Sequence, residues 1–205
     1  MNRAVTELNI LICGVGGQGN LLASEIIASA AVKEGFSLRV ADIFGAAQRG
    51  GAVASHIRIG KDVHSPVLPQ NSAHILLGFE PAECLRVANF LRPDCMAIMN
   101  TRPIIPSTVS LGKARYPSRD EIEGLLQKLV KTIITLDAVQ LAQKAGDPMM
   151  MNIVMVGALA GTDGTPIQKD SFIEAIKELV PKGTQEKNLD AFNLGYRDVS
   201  KKIAK

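Results

Sequence analysis

Four closely spaced glycines are the first residues in the chain with chemistry in reach. They are Gly14, Gly16, Gly17 and Gly19, with Gln18 among them, in the run LNILICGVGGQG from Leu8 to Gly19. Glycine has no Cβ and tolerates positive φ, so such a turn is tight and brings backbone N–H groups close to a ligand. Gly14, Gly16 and Gly19 keep the GxGxxG spacing of dinucleotide-binding turns. A helix that opens there aims its free N–H groups at an anion. A second group is Gln48, Arg49, Gly50 and Gly51. An arginine beside two glycines can turn its planar fork outward to a phosphate or carboxylate, or bond neighbouring carbonyls instead. A third is Asn100 and Thr101, polar residues just beyond the apolar run CMAIM.

These groups bind; they do not make a catalytic set. The chain shows no nucleophile with a matching base, no carboxylate pair and no metal-ligand spacing. Cys13, Cys84 and Cys95 are far apart in apolar segments and read as buried reduced thiols, and no CxxC exists to hold an iron–sulfur cluster. His56, His64 and His74 have no ligand spacing with each other or with the cysteines, and His56 reads as a half-buried strand residue. Asp42 ends the second strand, where a ribose-binding acid would sit, but it follows Gly14 by 28 positions. The usual interval is roughly 20. A second reading of the glycines is that they only let a helix and a strand pack closely.

The elements that position these residues alternate. Leu8 to Cys13 reads as a strand buried on both faces, and Asn20 to Glu34 as a helix stopped by Gly35. Leu38 to Ala41 and Val53 to Ile59 read as strands, as do His74 to Gly78, Cys95 to Met99 and Lys131 to Leu136. Pro81 suits the first turn of a helix running to about Leu91. Ser118 with Glu121 three residues on is a capping box for a helix to Val130, and Asp137 caps another to Ala145. Met149, Met150, Met151 and Met155 read as core filler on a buried helix. Gly157, Ala158 and Ala160 leave open a second use of that helix, close approach to a partner chain. Two amphipathic helices follow, divided at Pro181 to Gly183. The pattern predicts a three-layer, Rossmann-like α/β domain over residues 1–205, its sheet mostly parallel or mixed. Ligands in such folds gather at the carboxyl ends of strands, so the turns at 14–19, 48–51, 79–80 and 100–102 are expected on one rim.

Composition narrows the class. With 46% apolar and 21% charged residues in 205, this is an ordinary globular chain. A net charge of +3, no Trp and two Tyr argue against nucleic acid. No basic segment leads into a long apolar run at the N-terminus, so neither a signal peptide nor a membrane span is expected, and the cytoplasm is.

Larger blocks carry a resemblance. GVGGQGNLLASEIIASAA, GAAQRGGAVASHIRIG, LLGFEPAECLR and NTRPIIP, in this order, with the Met-rich NIVMVGALAG run, resemble the gamma chain or domain of 2-oxoacid:ferredoxin oxidoreductases, nearest to the indolepyruvate type. The resemblance implies thiamine-dependent oxidative decarboxylation of a 2-oxoacid, here an aryl pyruvate, to an acyl-CoA, with electrons passed to ferredoxin. It implies that thiamine diphosphate and the [4Fe-4S] clusters sit on a large partner subunit. This chain would then hold no cofactor alone and would wall the partner's active site with Gly14 to Gly19 and Arg49, sharing coenzyme A. In isolation its partner face would pair with a second copy. The alternative is a free-standing NAD(P)-dependent dehydrogenase or nucleotide-binding protein.

Overall fold

The computed structural model describes residues 7–45, 47 and 50–204. In chain order it contains β1 (Leu8–Val15), α1 (Asn20–Lys33), β2 (Leu38–Phe44), β3 (Ala52–Ile59), β4 (Ala73–Gly78), α2 (Pro81–Arg86), β5 (Leu91–Asn100) and α3 (Ser107–Ser110). Then come α4 (Arg119–Leu126), β6 (Thr132–Leu136), α5 (Ala138–Ala145), α6 (Met151–Ala160), α7 (Lys169–Leu179) and α8 (Gln185–Ile203). The strands form one sheet in the order β2-β3-β1-β4-β5-β6. β1, β4, β5 and β6 are parallel neighbours, while β3 runs antiparallel to both β1 and β2. The sheet is mixed, and every strand but β3 directs its carboxyl end to the same edge.

Why three layers form is visible in β1, whose eight residues are all buried. Ile10 and Ile12 enter one hydrophobic cluster with Ile26 and Ile27 of α1, Val154 of α6, Phe172 of α7 and Phe192 of α8. Leu11 and Cys13, on the opposite face, enter another with Cys84 of α2 and with Ile122 and Leu126 of α4. A strand apolar on both faces needs helices on both.

Helix α6 is buried along nearly its whole length because α8 crosses it closely. A Cβ at Gly157 would lie 2.0 Å from the Phe192 carbonyl oxygen, and one at Gly195 2.0 Å from that of Val154. The small-residue face that could have met a partner chain is thus taken by α8. Met150, Met151 and Met155 are core, as expected, but Met149 is 78% exposed. Asp147 accepts the Met149 N–H at 2.8 Å, and the short 3-10 turn at Pro148–Met150 holds that side chain outside.

Other departures are local. The helix opened by Pro81 ends at Arg86, and Leu91 already belongs to β5, four residues ahead of the expected start. The capping box of Ser118 and Glu121 forms, but α4 ends at Leu126. His56 is fully buried: Leu68 N–H donates to its Nδ1 at 3.2 Å and the Phe90 ring meets it edge-on. Among the described residues no helix is long and apolar enough to cross a membrane.

Candidate functional site

The rim expected from the sequence forms where β1, β4 and β5 end. Phe79 N–H donates to the Cys13 carbonyl at 2.7 Å, which seats the turn after β4 beside that after β1. The Phe79 carbonyl then accepts from Gln18 Nε2 at 3.0 Å and from Asn100 Nδ2 at 2.9 Å. Gln18 Oε1 accepts the Val15 N–H at 2.7 Å, and Asn100 Oδ1 the Ala138 N–H at 3.1 Å. Two side-chain amides therefore fasten the glycine turn, the end of β4, the end of β5 and the start of α5 into one surface. Thr101 continues it, its N–H bonded to the Leu136 carbonyl at 2.9 Å. The turn before β3 arrives through Gly51, whose carbonyl accepts the Gly16 N–H at 2.8 Å, and Gly50, whose N–H reaches the Gly16 carbonyl at 3.3 Å. Gln48 and Arg49 lie outside the described residues.

The glycines of the turn divide their tasks. A Cβ at Gly14 would fall 2.7 Å from Gln18 Oε1 and 2.9 Å from Phe79 Cβ, so a side chain there would push the fastener apart. Gly19, with φ of 79°, begins α1, and its missing Cβ leaves room for Asn152 Nδ2, which donates to the Gly19 carbonyl at 3.3 Å. Gly17, with φ of 106°, has open space where its Cβ would point. It is the place where backbone can face a ligand. Helix α1 has no side-chain N-cap, so its first-turn amides and dipole favour negative charge.

Beside Gly17 and Gln18 lies a cavity of about 410 Å³. Asn100 and Arg102 line it from β5 and the following loop, with Pro103 and Ile104; α5 adds Val139 and Gln143, and the turn into α6 adds Pro148, Met149 and Met151. Among the described residues Arg102 is the one charged member of the lining, and Asp137 holds that guanidinium at 2.8 Å. Glu80 stands behind the loop, 1% exposed; it accepts N–H groups from Glu83 at 3.0 Å and Ile104 at 3.1 Å, and the Tyr116 hydroxyl. Burial and that carboxylate push the Tyr116 phenol above its usual range.

Of the sequence candidates, Gly14, Gly16, Gly17, Gln18, Gly19, Gly50, Gly51, Asn100 and Thr101 meet at this rim, although Gln18 and Asn100 spend their amides within the chain. Asp42 does not join them. Its carboxylate accepts the Ser24 hydroxyl at 3.3 Å, and β3 separates its strand from β1. A dinucleotide site keeps the acid-bearing strand next to the glycine-turn strand; here it is two strand spacings away, roughly 9–10 Å. The dehydrogenase alternative finds no support in that geometry. Sequence reading placed the turn at 79–80 on this rim but gave the Glu80 carboxylate no role, although an acid before a proline at a helix start was a signal for one. It missed Ile104, Val139, Gln143, Pro148 and Met149 as lining residues.

The thiols are ill placed as ligands. Cys13 and Cys84 lie with Sγ atoms 3.8 Å apart, both buried, and the Cys13 thiol is pushed up first by that contact and then by burial. Burial pushes Cys95 up to about 12. Among the described residues no three His, Cys, Asp or Glu side chains group to hold a metal.

The profile of the pyruvate ferredoxin/flavodoxin oxidoreductase family matches residues 9–197. The chain is 44% identical to indolepyruvate oxidoreductase subunit IorB of Archaeoglobus fulgidus over 93% of its own length and 94% of the relative's. Its fold is similar to the gamma subunit of a keto/oxoacid ferredoxin oxidoreductase from Geobacter sulfurreducens, with a TM-score of 0.70, 23% identity and coverage of 97% and 99%. It is also similar to part of the 2-oxoglutarate:ferredoxin oxidoreductase of Magnetococcus marinus, solved with 2-oxoglutarate, coenzyme A and succinyl-CoA bound. There the TM-score is 0.72 at 16% identity, over 96% of this chain and 32% of that one.

Proposed function

The chain belongs to the pyruvate ferredoxin/flavodoxin oxidoreductase family and is a subunit of a 2-oxoacid:ferredoxin oxidoreductase; from that premise we propose that it is the cluster-free subunit of a cytoplasmic enzyme of the indolepyruvate type, residues 1–205 forming one gamma-type domain. Its large partner carries thiamine diphosphate and [4Fe-4S] clusters, converts an aryl pyruvate to the acyl-CoA and passes the electrons to ferredoxin. This chain cannot house such a cluster, which takes four thiolates, because it has three cysteines, all buried.

The observation that carries the proposal is the rim itself. It offers an uncapped helix start and an open backbone position at Gly17, and beside them no nucleophile–base pair among the described residues. Such a surface covers and orients; it does not turn over substrate alone. The amides at Gly17 and the start of α1 suit a diphosphate, so coenzyme A is the group this chain would share with its partner, and Arg49, covalently next to Gly50, is its cation. When bound, coenzyme A supplies the thiol that accepts the acyl group.

Co-purification with the large subunit and an assay of ferredoxin reduction test this. The complex reduces ferredoxin with indolepyruvate and coenzyme A; the chain alone turns over neither an oxoacid nor NAD(P), and its size in solution reports whether the uncovered face pairs with a second copy. Arg49→Ala raises the KM for coenzyme A about tenfold, the scale of one charge-assisted contact. Unchanged affinity and turnover would remove Arg49 from the site.

A further inference from the structure

We infer that the cavity between the β5–α3 loop and the turn into α6 receives the aryl ring of the 2-oxoacid, so that this subunit helps to choose the substrate. The inference rests on the subunit assignment above. About 410 Å³ falls within the range of small-molecule sites, roughly 300–1,000 Å³. The walls are Pro103, Ile104, Val139, Pro148, Met149 and Met151, apolar side chains contributed by three separate segments. Thioethers pack well against ring edges, and unbranched methionine adapts to a flat guest.

Charge favours an uncharged guest against this wall. Among the described residues the lining holds one cation, Arg102, whose Nε is held by Asp137 at 2.8 Å, so the apolar side away from Gly17 offers a second carboxylate little net attraction. An indole or phenyl ring asks for none. The Gln143 amide, exposed on α5, makes no hydrogen bond among the described residues and faces the cavity as a partner for a ring N–H. The cavity also has a reason to keep its shape. Ile104 N–H is bonded to the buried Glu80 carboxylate and the Met149 N–H to Asp147, which fixes both walls through their backbones.

A substrate series on the reconstituted complex tests it. Ile104 and Met149 are 42% and 78% exposed, so Ile104→Ala with Met149→Ala leaves the fold intact while opening the slot. Pocket methylenes discriminate by roughly 10-fold or more, so the ratio of kcat/KM for indolepyruvate over pyruvate should fall about tenfold, with the KM for coenzyme A unmoved. A changed KM for coenzyme A with an unchanged ratio would give the cavity to coenzyme A and overturn the inference. So would an equal loss on both oxoacids, loss of co-elution with the large subunit, or no change at all. A wild-type complex that reduces no ferredoxin with any aryl pyruvate would instead sink the assignment on which the inference rests.

Discussion

Gln18 and Asn100, 82 residues apart in the chain, donate their side-chain amides to one oxygen, the carbonyl of Phe79, at 3.0 and 2.9 Å. Each single truncation leaves that carbonyl one donor and orphans a different N–H, Val15 for Gln18→Ala and Ala138 for Asn100→Ala. Orphaning a buried polar group costs about 1–3 kcal/mol. The double variant alone leaves Phe79 O with neither donor, so its loss should exceed the sum of the singles by about 1 kcal/mol. Urea denaturation of the four proteins gives the coupling, and strict additivity would show that the two amides do not share the carbonyl.

The glycine turn should respond position by position. Gly19→Ala combines a left-handed φ of 79° with a Cβ 2.4 Å from Asn152 Nδ2, whereas Gly17→Ala at φ 106° has open space. Left-handed strain alone costs about 1–2 kcal/mol; the clash at Gly19 adds about 1 kcal/mol or more. Gly17→Ala should therefore keep more of the fold, while placing a methyl group where backbone faces the ligand. Unfolding midpoints and the KM for coenzyme A in the complex, measured on both variants, check the order.

Cys84 depends on a missing side chain opposite it. A Cβ at Gly78 would lie 2.1 Å from Cys84 Sγ but 3.8 Å from Cys84 Cβ. Gly78→Ala should cost about 1–3 kcal/mol by overpacking, and Cys84→Ala in the same chain should recover most of it. Chemical denaturation of the two singles and the double provides the check, the sign of the coupling being favourable.

His56 gives the fold a pH dependence of known sign. Burial lowers its folded pKa from the ordinary 6.5, with Asp42 opposing, and its Nδ1 accepts from Leu68 N–H. The unfolded chain therefore binds the proton more readily, and stability rises with pH across the window between the folded value and about 6.5. The contribution is complete above that window and is lost as pH falls through it. His56→Asn keeps an acceptor but does not titrate, so denaturation midpoints between about pH 5 and 8 should show a shallower acid slope. Some slope should stay, since burial and Arg92 lower His74 too.

Much of this was legible in the residues. The apolar run of β1 and the glycines behind it announced a strand, a turn and a helix, and the Ser118 capping box stands where it was read. The insertion of β3 between β1 and β2 was not foreseen, because alternation reports which face is buried and not which neighbour a strand takes. Connection length held a clue: residues 45–51 are too few for a parallel crossover, which needs a dozen or more. The centre of the rim stayed hidden for another reason. Its common acceptor is a backbone carbonyl, that of Phe79, and no side-chain pattern marks one. Met149 was misread because a methionine in a Met-rich run looks like core until the turn that expels it is seen.

The crossing of α6 and α8 yields the most severe expectation. At Gly157 and Gly195 a new Cβ would sit 2.0 Å from a backbone carbonyl, and backbone cannot swing aside as a side chain can. Alanine at either position has to force the helices apart, which withdraws Phe192 and Val154, both fully buried, from their neighbours. Overpacking costs about 1–3 kcal/mol when side chains can yield; here each variant should lose at least about 3 kcal/mol. Gly124 in α4 is the control, because nothing lies within 4 Å of its Cβ direction. Gly124→Ala should stabilise by about 0.5–1 kcal/mol through helix propensity and a less free unfolded chain. Opposite signs for one chemical change, read by urea denaturation, would establish that the helices meet backbone to backbone. A mild Gly157→Ala would place them farther apart.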